Sequence, residues 1–187
     1  MSFNTPAATV APPTAPDVID IEVSNRSVPE LFQEQVAKRR AMPAMYFKSA
    51  GKWHDISWEQ YGAAVKRIAG FLLAERVQPA ERVAILSYNR PEWHIADLAI
   101  EHVGGVVVGI YMTSSPSQCQ YIIGHAEAPV IFVEDRDQLA KVMEVRDQLP
   151  MLRRVVLING DVQAGDGELV VGWDDALQAG AAHNAEE

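Results

Sequence analysis

Cysteine is nearly absent: Cys119 is the only one in 187 residues. No disulfide can form within the chain and no zinc–cysteine site is available, so a reducing cytosol is the expected compartment. Long apolar runs are missing too. The best one, "VVVGIY" at 106–111, is far shorter than the roughly 20 residues that span a bilayer. The N-terminus has neither the basic start nor the continuous apolar segment of a secretory leader, so the chain is expected to be soluble or peripheral at a membrane, with no transmembrane segment. Positive charge is scarce, with 16 lysines and arginines against 25 aspartates and glutamates and a net charge of -9. That balance excludes a broad nucleic-acid surface, which depends on clustered cations.

What is present is ordinary globular composition, 48% hydrophobic and 22% charged, enough for one substantial core. Residues 1–26 begin with "MSFNTPAATVAPPTAP", which is rich in Pro, Ala and Thr without periodicity and is expected to be a disordered tail. Folding should begin near "SVPELFQEQVAKRR", with Ser27 as cap, Pro29 in the first turn and Leu31, Gln35 and Val36 along one helical side. "AMYFKSAGKWHDIS" alternates around a Ser-Ala-Gly turn and reads as a hairpin. Ser57 and Gln60 have capping-box spacing ahead of an amphipathic helix running to about Arg76.

The segment "VAILSYNRPEWHIADLAIEHVGGVVVGIY", 83–111, reads as strand, turn, helix and a second buried strand. So short a connection favours a parallel crossover. Ser115 and Pro116 then open a short helix ending near Gly124, "PVIFVED" is a strand, a helix spans about Arg136 to Leu149, and "RVVLI" is another strand. An acidic loop and a last short helix, "WDDALQAG", precede a polar C-terminal tail at 181–187. The fold class is therefore α/β, a mainly parallel sheet with flanking helices.

Each stretch with chemical potential has a plainer explanation. A phosphate-binding turn needs converging backbone amides and glycine. "SYNRPEW" has no glycine, loses a donor to Pro91, and places Glu92 where an anion would sit, leaving Arg90 as its one attraction. Gly104 and Gly109 have Walker-like spacing, but Ile110 and Tyr111 stand where Lys and Ser or Thr are required. In "NGDVQAGDGE", Asp161, Asp166 and Glu168 would repel phosphate, which leaves a solvated loop. His94 and Asp97 are one helical turn apart without a third ligand nearby, and His102 is two turns further on, so a helix-surface pair is expected. Ser87, Ser114, Ser115 and Ser117 lack a nucleophile-elbow setting, and Cys119 has no partner, which makes it a small buried hydrophobe. "YMTSSP", Tyr111 to Pro116, follows a buried strand where open α/β sheets place ligands, and is the best candidate site.

"SWEQY", the run from "ERVAILSYNRPEW" through "IYMTSSP" to "FVED", and "WDDAL" resemble the N-terminal part of AMP-forming acyl-CoA synthetases, closest to bacterial long-chain fatty-acid ligases. The likeness covers residues 27–180. It implies an incomplete part of the large N-terminal domain of an adenylate-forming enzyme. It also implies ATP, magnesium and coenzyme A as cofactors of the full-length family, and a fatty acid as substrate. The family's Ser/Thr/Gly-rich phosphate loop, its adenine and magnesium motifs and its mobile C-terminal domain do not occur before Glu187, so no catalytic, cofactor-binding or metal-binding residue is carried over. The expectation is a truncated long-chain fatty-acid–CoA ligase, inactive alone; the alternatives are one half of a split synthetase or a non-catalytic interaction module that binds a full-length synthetase, and the expected partner is a downstream synthetase segment or another copy of itself. Met112 replaces a proline, and His125 stands where Asn or Asp is more usual; both changes relax turn chemistry.

Overall fold

The computed structural model describes residues 25–186. Most of the expected tail at 1–26, including the 1–16 segment, lies outside the described residues. Helix α1, Val28–Arg39, opens on a reciprocal capping box: the Ser27 hydroxyl accepts the Glu30 amide at 3.3 Å, and the Glu30 carboxylate accepts the Ser27 amide at 2.7 Å. Its buried side chain is Phe32, which the spacing argument passed over; the ring stands edge-on to Tyr61 at 4.8 Å. Strands β1, Pro43–Ser49, and β2, Lys52–Ser57, form the expected antiparallel hairpin. Helix α2, Trp58–Ala74, follows with the same capping box at Ser57 and Gln60.

The remaining elements build one parallel sheet. Strand β3 is Arg82–Leu86, α3 Pro91–His102, β4 Val106–Gly109, α4 Pro116–Ala126, β5 Val130–Val133, α5 Arg136–Glu144, β6 Arg154–Leu157, β7 Val170–Gly172 and α6 Trp173–Glu186. The strand order is β4-β3-β5-β6-β7, every pair parallel. Successive residues of the inner strands alternate between two cores. Val83, Ile85, Val130, Phe132 and Val156 meet α1, α2, α3 and α6 on one face. Ala84, Leu86, Ile131, Val133, Val155 and Leu157 meet α4 and α5 on the other. A strand covered on both faces has to be apolar throughout, which is why these runs show no polar alternation.

Four expectations need correction. The strand at 106–111 stops at Gly109 and is an edge, not a buried strand: among the described residues β3 is its only neighbour, and Val106 is 47% exposed. The helix expected to reach Leu149 ends at Glu144; a 3-10 turn, Arg146–Gln148, takes over, and the Arg146 guanidinium donates to the Leu149 carbonyl at 2.8 Å ahead of Pro150. Residues 170–172 pair with β6 as a fifth strand, hidden in the sequence by its brevity. The last helix does not give way to a polar tail at 181 but continues to Glu186. It is held against α2, with Gly180 so close that a Cβ there would lie 1.7 Å from the Arg67 carbonyl oxygen, and with the Asn184 amide donating to the Lys66 carbonyl at 3.0 Å.

Candidate functional site

The connection after β3 leads to α3 on one face, whereas those after β4 and β5 lead to α4 and α5 on the other. The carboxyl end of β3 is therefore flanked by divergent loops, the place where open α/β sheets make a crevice. Two clefts open there on either side of Tyr88 and Asn89. The one toward β4, about 460 Å³, has walls formed by Tyr88, Trp93, Ile110, Tyr111, Met112 and Thr113. The other, about 640 Å³, lies between the turn and the β1–β2 hairpin.

Residues 87–90, the turn between them, are occupied from within. Glu134, at the end of β5 and only 8% exposed, reaches across. One of its oxygens accepts the Ser87 hydroxyl and, at 3.2 Å, the Tyr88 amide. The other accepts Arg90 Nη1 at 2.6 Å, while Arg90 Nε donates to Glu92 at 2.6 Å. Burial works against the Arg90 charge, but the hydrogen bonds to Glu92 and Glu134 outweigh it and raise the pKa of the guanidinium. At this turn the cation is shared between two carboxylates, and an internal anion takes the Tyr88 amide. Glu134 was missed by sequence reasoning; its signal is a carboxylate following four consecutive buried residues in "VIFVED".

The first half of the "YMTSSP" segment, Tyr111 to Thr113, forms the far wall of the β4-side cleft, and Ser114 to Pro116 lie outside it. The Ser114 amide donates to the Tyr111 carbonyl at 2.9 Å, and the Met112 carbonyl accepts Lys141 Nζ at 2.7 Å, anchoring the loop to α5. Ser115 is a capping residue, accepting the Gln118 amide at 3.3 Å and touching Ser117 Oγ at 3.0 Å. Tyr111 stands 85% exposed at the cleft mouth and Tyr88 64%. These walls offer aromatic and apolar contact with a hydroxyl rim, and the one hydroxyl paired with a carboxylate, Ser87 on Glu134, belongs to the network that fixes the turn.

The other candidates fall elsewhere. Gly104, at φ +75°, ends the α3 turn against Pro79 while Gly109 ends β4, so the Walker-like spacing spans a strand and not a loop. In the 159–168 stretch, Arg136 binds the Asp166 carboxylate, holding its pKa low, and the carboxylate accepts the Gln163 amide at 2.7 Å; the expected solvated loop is a 3-10 turn pinned to the start of α5. His94 is exposed, its carbonyl accepting the Tyr61 hydroxyl at 3.2 Å. Burial raises the pKa of Asp97 and of Glu101 one turn on; burial, then these two carboxylates, push the Tyr61 phenol up as well. His102 Nδ1 donates to the Leu98 carbonyl, 2.6 Å away, and the ring packs on Phe32. Cys119 is fully buried, which raises its thiol pKa against the pull of Lys141. His125 is not in a turn but in the last turn of α4, stacked on Tyr121 at 5.7 Å. Among the described residues, no three His, Cys, Asp or Glu side chains gather in a way that could hold a metal ion. No helix among them is long and apolar enough to cross a membrane.

Comparison with known proteins places these features in context. The pattern of the family described as AMP-binding enzyme matches residues 32–181. The long-chain-fatty-acid–CoA ligase ACSBG1 of Macaca fascicularis is 40% identical over 131 residues, 70% of this chain and 18% of that protein. ACSBG2 of Xenopus laevis, also a long-chain-fatty-acid–CoA ligase, is 33% identical over 154 residues, 82% of this chain and 21% of its own length. The chain thus spans about a fifth of the curated relatives it matches. Among solved structures, the anthranilate CoA ligase AuaEII in complex with anthranoyl-AMP superposes with a TM-score of 0.72 at 22% identity, covering 80% of this chain and 27% of that one. The acetoacetyl-CoA synthetase of Streptomyces lividans gives 0.70 at 23% identity, over 80% and 24%. These two establish a shared fold.

Proposed function

This chain belongs to the AMP-binding enzyme family, and from that premise we propose that it is the first α/β layer of a cytoplasmic ligase that activates a long-chain fatty acid through an acyl-adenylate. The observation carrying the substrate class is the identity to long-chain-fatty-acid–CoA ligases, maintained over 70–82% of the chain. The aromatic and apolar cleft between β3 and β4 is compatible with such a role as a binding wall.

The 187 residues do not themselves fit ATP. The amide and cation at the β3–α3 turn are engaged by Glu134 and Glu92, and no glycine cradle with a lysine aimed at phosphate occurs in the sequence. ATP, magnesium and coenzyme A would be held by other parts of an enzyme of this family, so the 187-residue chain alone is inactive. Its partner is a downstream synthetase segment. The exposed Val106 edge and the three-residue β7 at the opposite border both favour added cover, because parallel strands expect neighbours.

The test is fatty-acid-dependent pyrophosphate release. The 187-residue chain should give none, and a chimera in which it replaces the matching part of an ACSBG2-type ligase should give palmitate-dependent release. A folded chimera without activity, or one active only on short aromatic acids, would refute the fatty-acid reading. Saturable ATP binding by the chain alone in calorimetry would refute the reading that these residues do not fit ATP.

A further inference from the structure

We propose that the β1–β2 hairpin is a membrane-interface element that docks on anionic phospholipid. The chain is acidic, yet no carboxylate occurs between Glu34 and Asp55, and that window holds five of the 16 lysines and arginines: Lys38, Arg39, Arg40, Lys48 and Lys52. The segregation coincides with exposed aromatics. The register sets Lys48 opposite Trp53 and Tyr46 opposite Asp55, and directly opposed residues share a face. That outer face carries Tyr46 at 67% and Trp53 at 71% exposure, with Lys48 between them. The inner face spends its apolar groups on the protein: Met45 and Ile56 pack on the core and Phe47 stacks on His54 at 5.3 Å.

The occupant follows from shape and charge. The hairpin closes through Ala50 and Gly51, both at positive φ, with open space around Gly51. An open tip suits a broad surface, and the cleft along β1, which Tyr46, Lys48 and Trp53 also line, carries Glu92 and Glu134 and so opposes a small anionic ligand. Tryptophan and tyrosine favour the headgroup level of a bilayer, where the ring is buried and its N–H or O–H stays wet. Lysines beside them draw the tip toward anionic lipid, and their stems cover apolar surface while the ammonium groups remain at the headgroups. Lys48 and Lys52 have no carboxylate partner among the described residues, whereas Arg40 at the hairpin base pairs with Glu59 at 3.7 Å. Asp55 lies on the outer face opposite Tyr46, Glu59 is at the base beside Arg40, and Glu92 and Glu134 line the cleft along β1 that Tyr46, Lys48 and Trp53 also border; the tip beyond Lys48 and Lys52 carries no carboxylate.

The experiment is vesicle co-sedimentation of the 187-residue chain with phosphatidylcholine alone and with mixed phosphatidylcholine and phosphatidylglycerol. Binding is expected to the mixed vesicles and to fall with salt. Y46A/W53A and K48E/K52E should each weaken it about tenfold or more. In the unmodified chain, the tryptophan emission absent from W53F should shift to shorter wavelength on mixed vesicles, a readout independent of variant folding. No partition into mixed vesicles, equal partition of folded variants, or Trp53 emission that responds to a synthetase segment or an oligonucleotide but not to lipid would each overturn the proposal.

Discussion

Strands β4 and β5 are both four residues long and almost wholly apolar, "VVVG" and "VIFV". Yet every residue of β5 is fully buried, whereas β4 exposes its two ends. Composition does not separate them; place in the sheet does. Strand β5 has β3 and β6 as neighbours and helices over both faces, while β4 has, among the described residues, β3 alone. A valine-rich run therefore reports that a strand belongs in a parallel sheet, but not whether its neighbours are present.

The contrast can be broken at its strongest point first. Phe132→Ala in β5 should cost about 3–5 kcal/mol in denaturant unfolding, the range for deleting a fully buried aromatic, while Val106→Ala in β4 should stay within about 0.5 kcal/mol. Equal losses would erase the distinction between centre and edge. Next, Glu134→Ala, just beyond β5, should cost about 2–4 kcal/mol because it strands the Arg90 charge and the Ser87 and Tyr88 donors together. Glu134→Gln should cost less, since its carbonyl can still accept one of them. Gly180→Ala should lose about 1–3 kcal/mol as α6 is forced off the Arg67 carbonyl.

The smallest effect concerns pH. Burial raises the Asp97 pKa in the folded chain, so the native state holds that proton more tightly than the unfolded one. The ionised carboxylate thus costs stability at neutral pH, and the cost is relieved as pH falls through the folded pKa. Asp97→Asn should raise the unfolding free energy at pH 7 by no more than about 0.5 kcal/mol, the gain vanishing near pH 4, around the unfolded value. A gain that grows on acidification would reverse the sign.

Much of the fold was legible because local chemistry and global packing agree. Ser27, Ser57 and Ser115 announce helix starts through capping boxes, and the hairpin and the parallel alternation follow from turn residues and apolar runs. The parts that escaped depend on distant residues. Nothing near "LVVGW" marks β7 apart from its register with Val155–Leu157, and nothing in "AGAAHN" requires a helix until Arg67 and Lys66 lie against it. At the candidate site, Arg90, Glu92, Tyr111 and Met112 were visible as a turn and a loop. Glu134 was not, because its contacts are with residues more than 40 positions earlier.

The contact between α2 and α6 also has a consequence in time. Lys66 and Arg67 emerge from the ribosome well over 100 residues before Gly180 and Asn184, which close over them. At about 5–20 residues per second, that interval is on the order of ten seconds. Through it, α2 has α3 and α1 for company but keeps one side wet, and high sequence separation makes the closing contact late in any refolding as well. The last helix is therefore the latch of the layer, and a nascent chain halted before it would present that open side of α2 to whatever holdase is at hand.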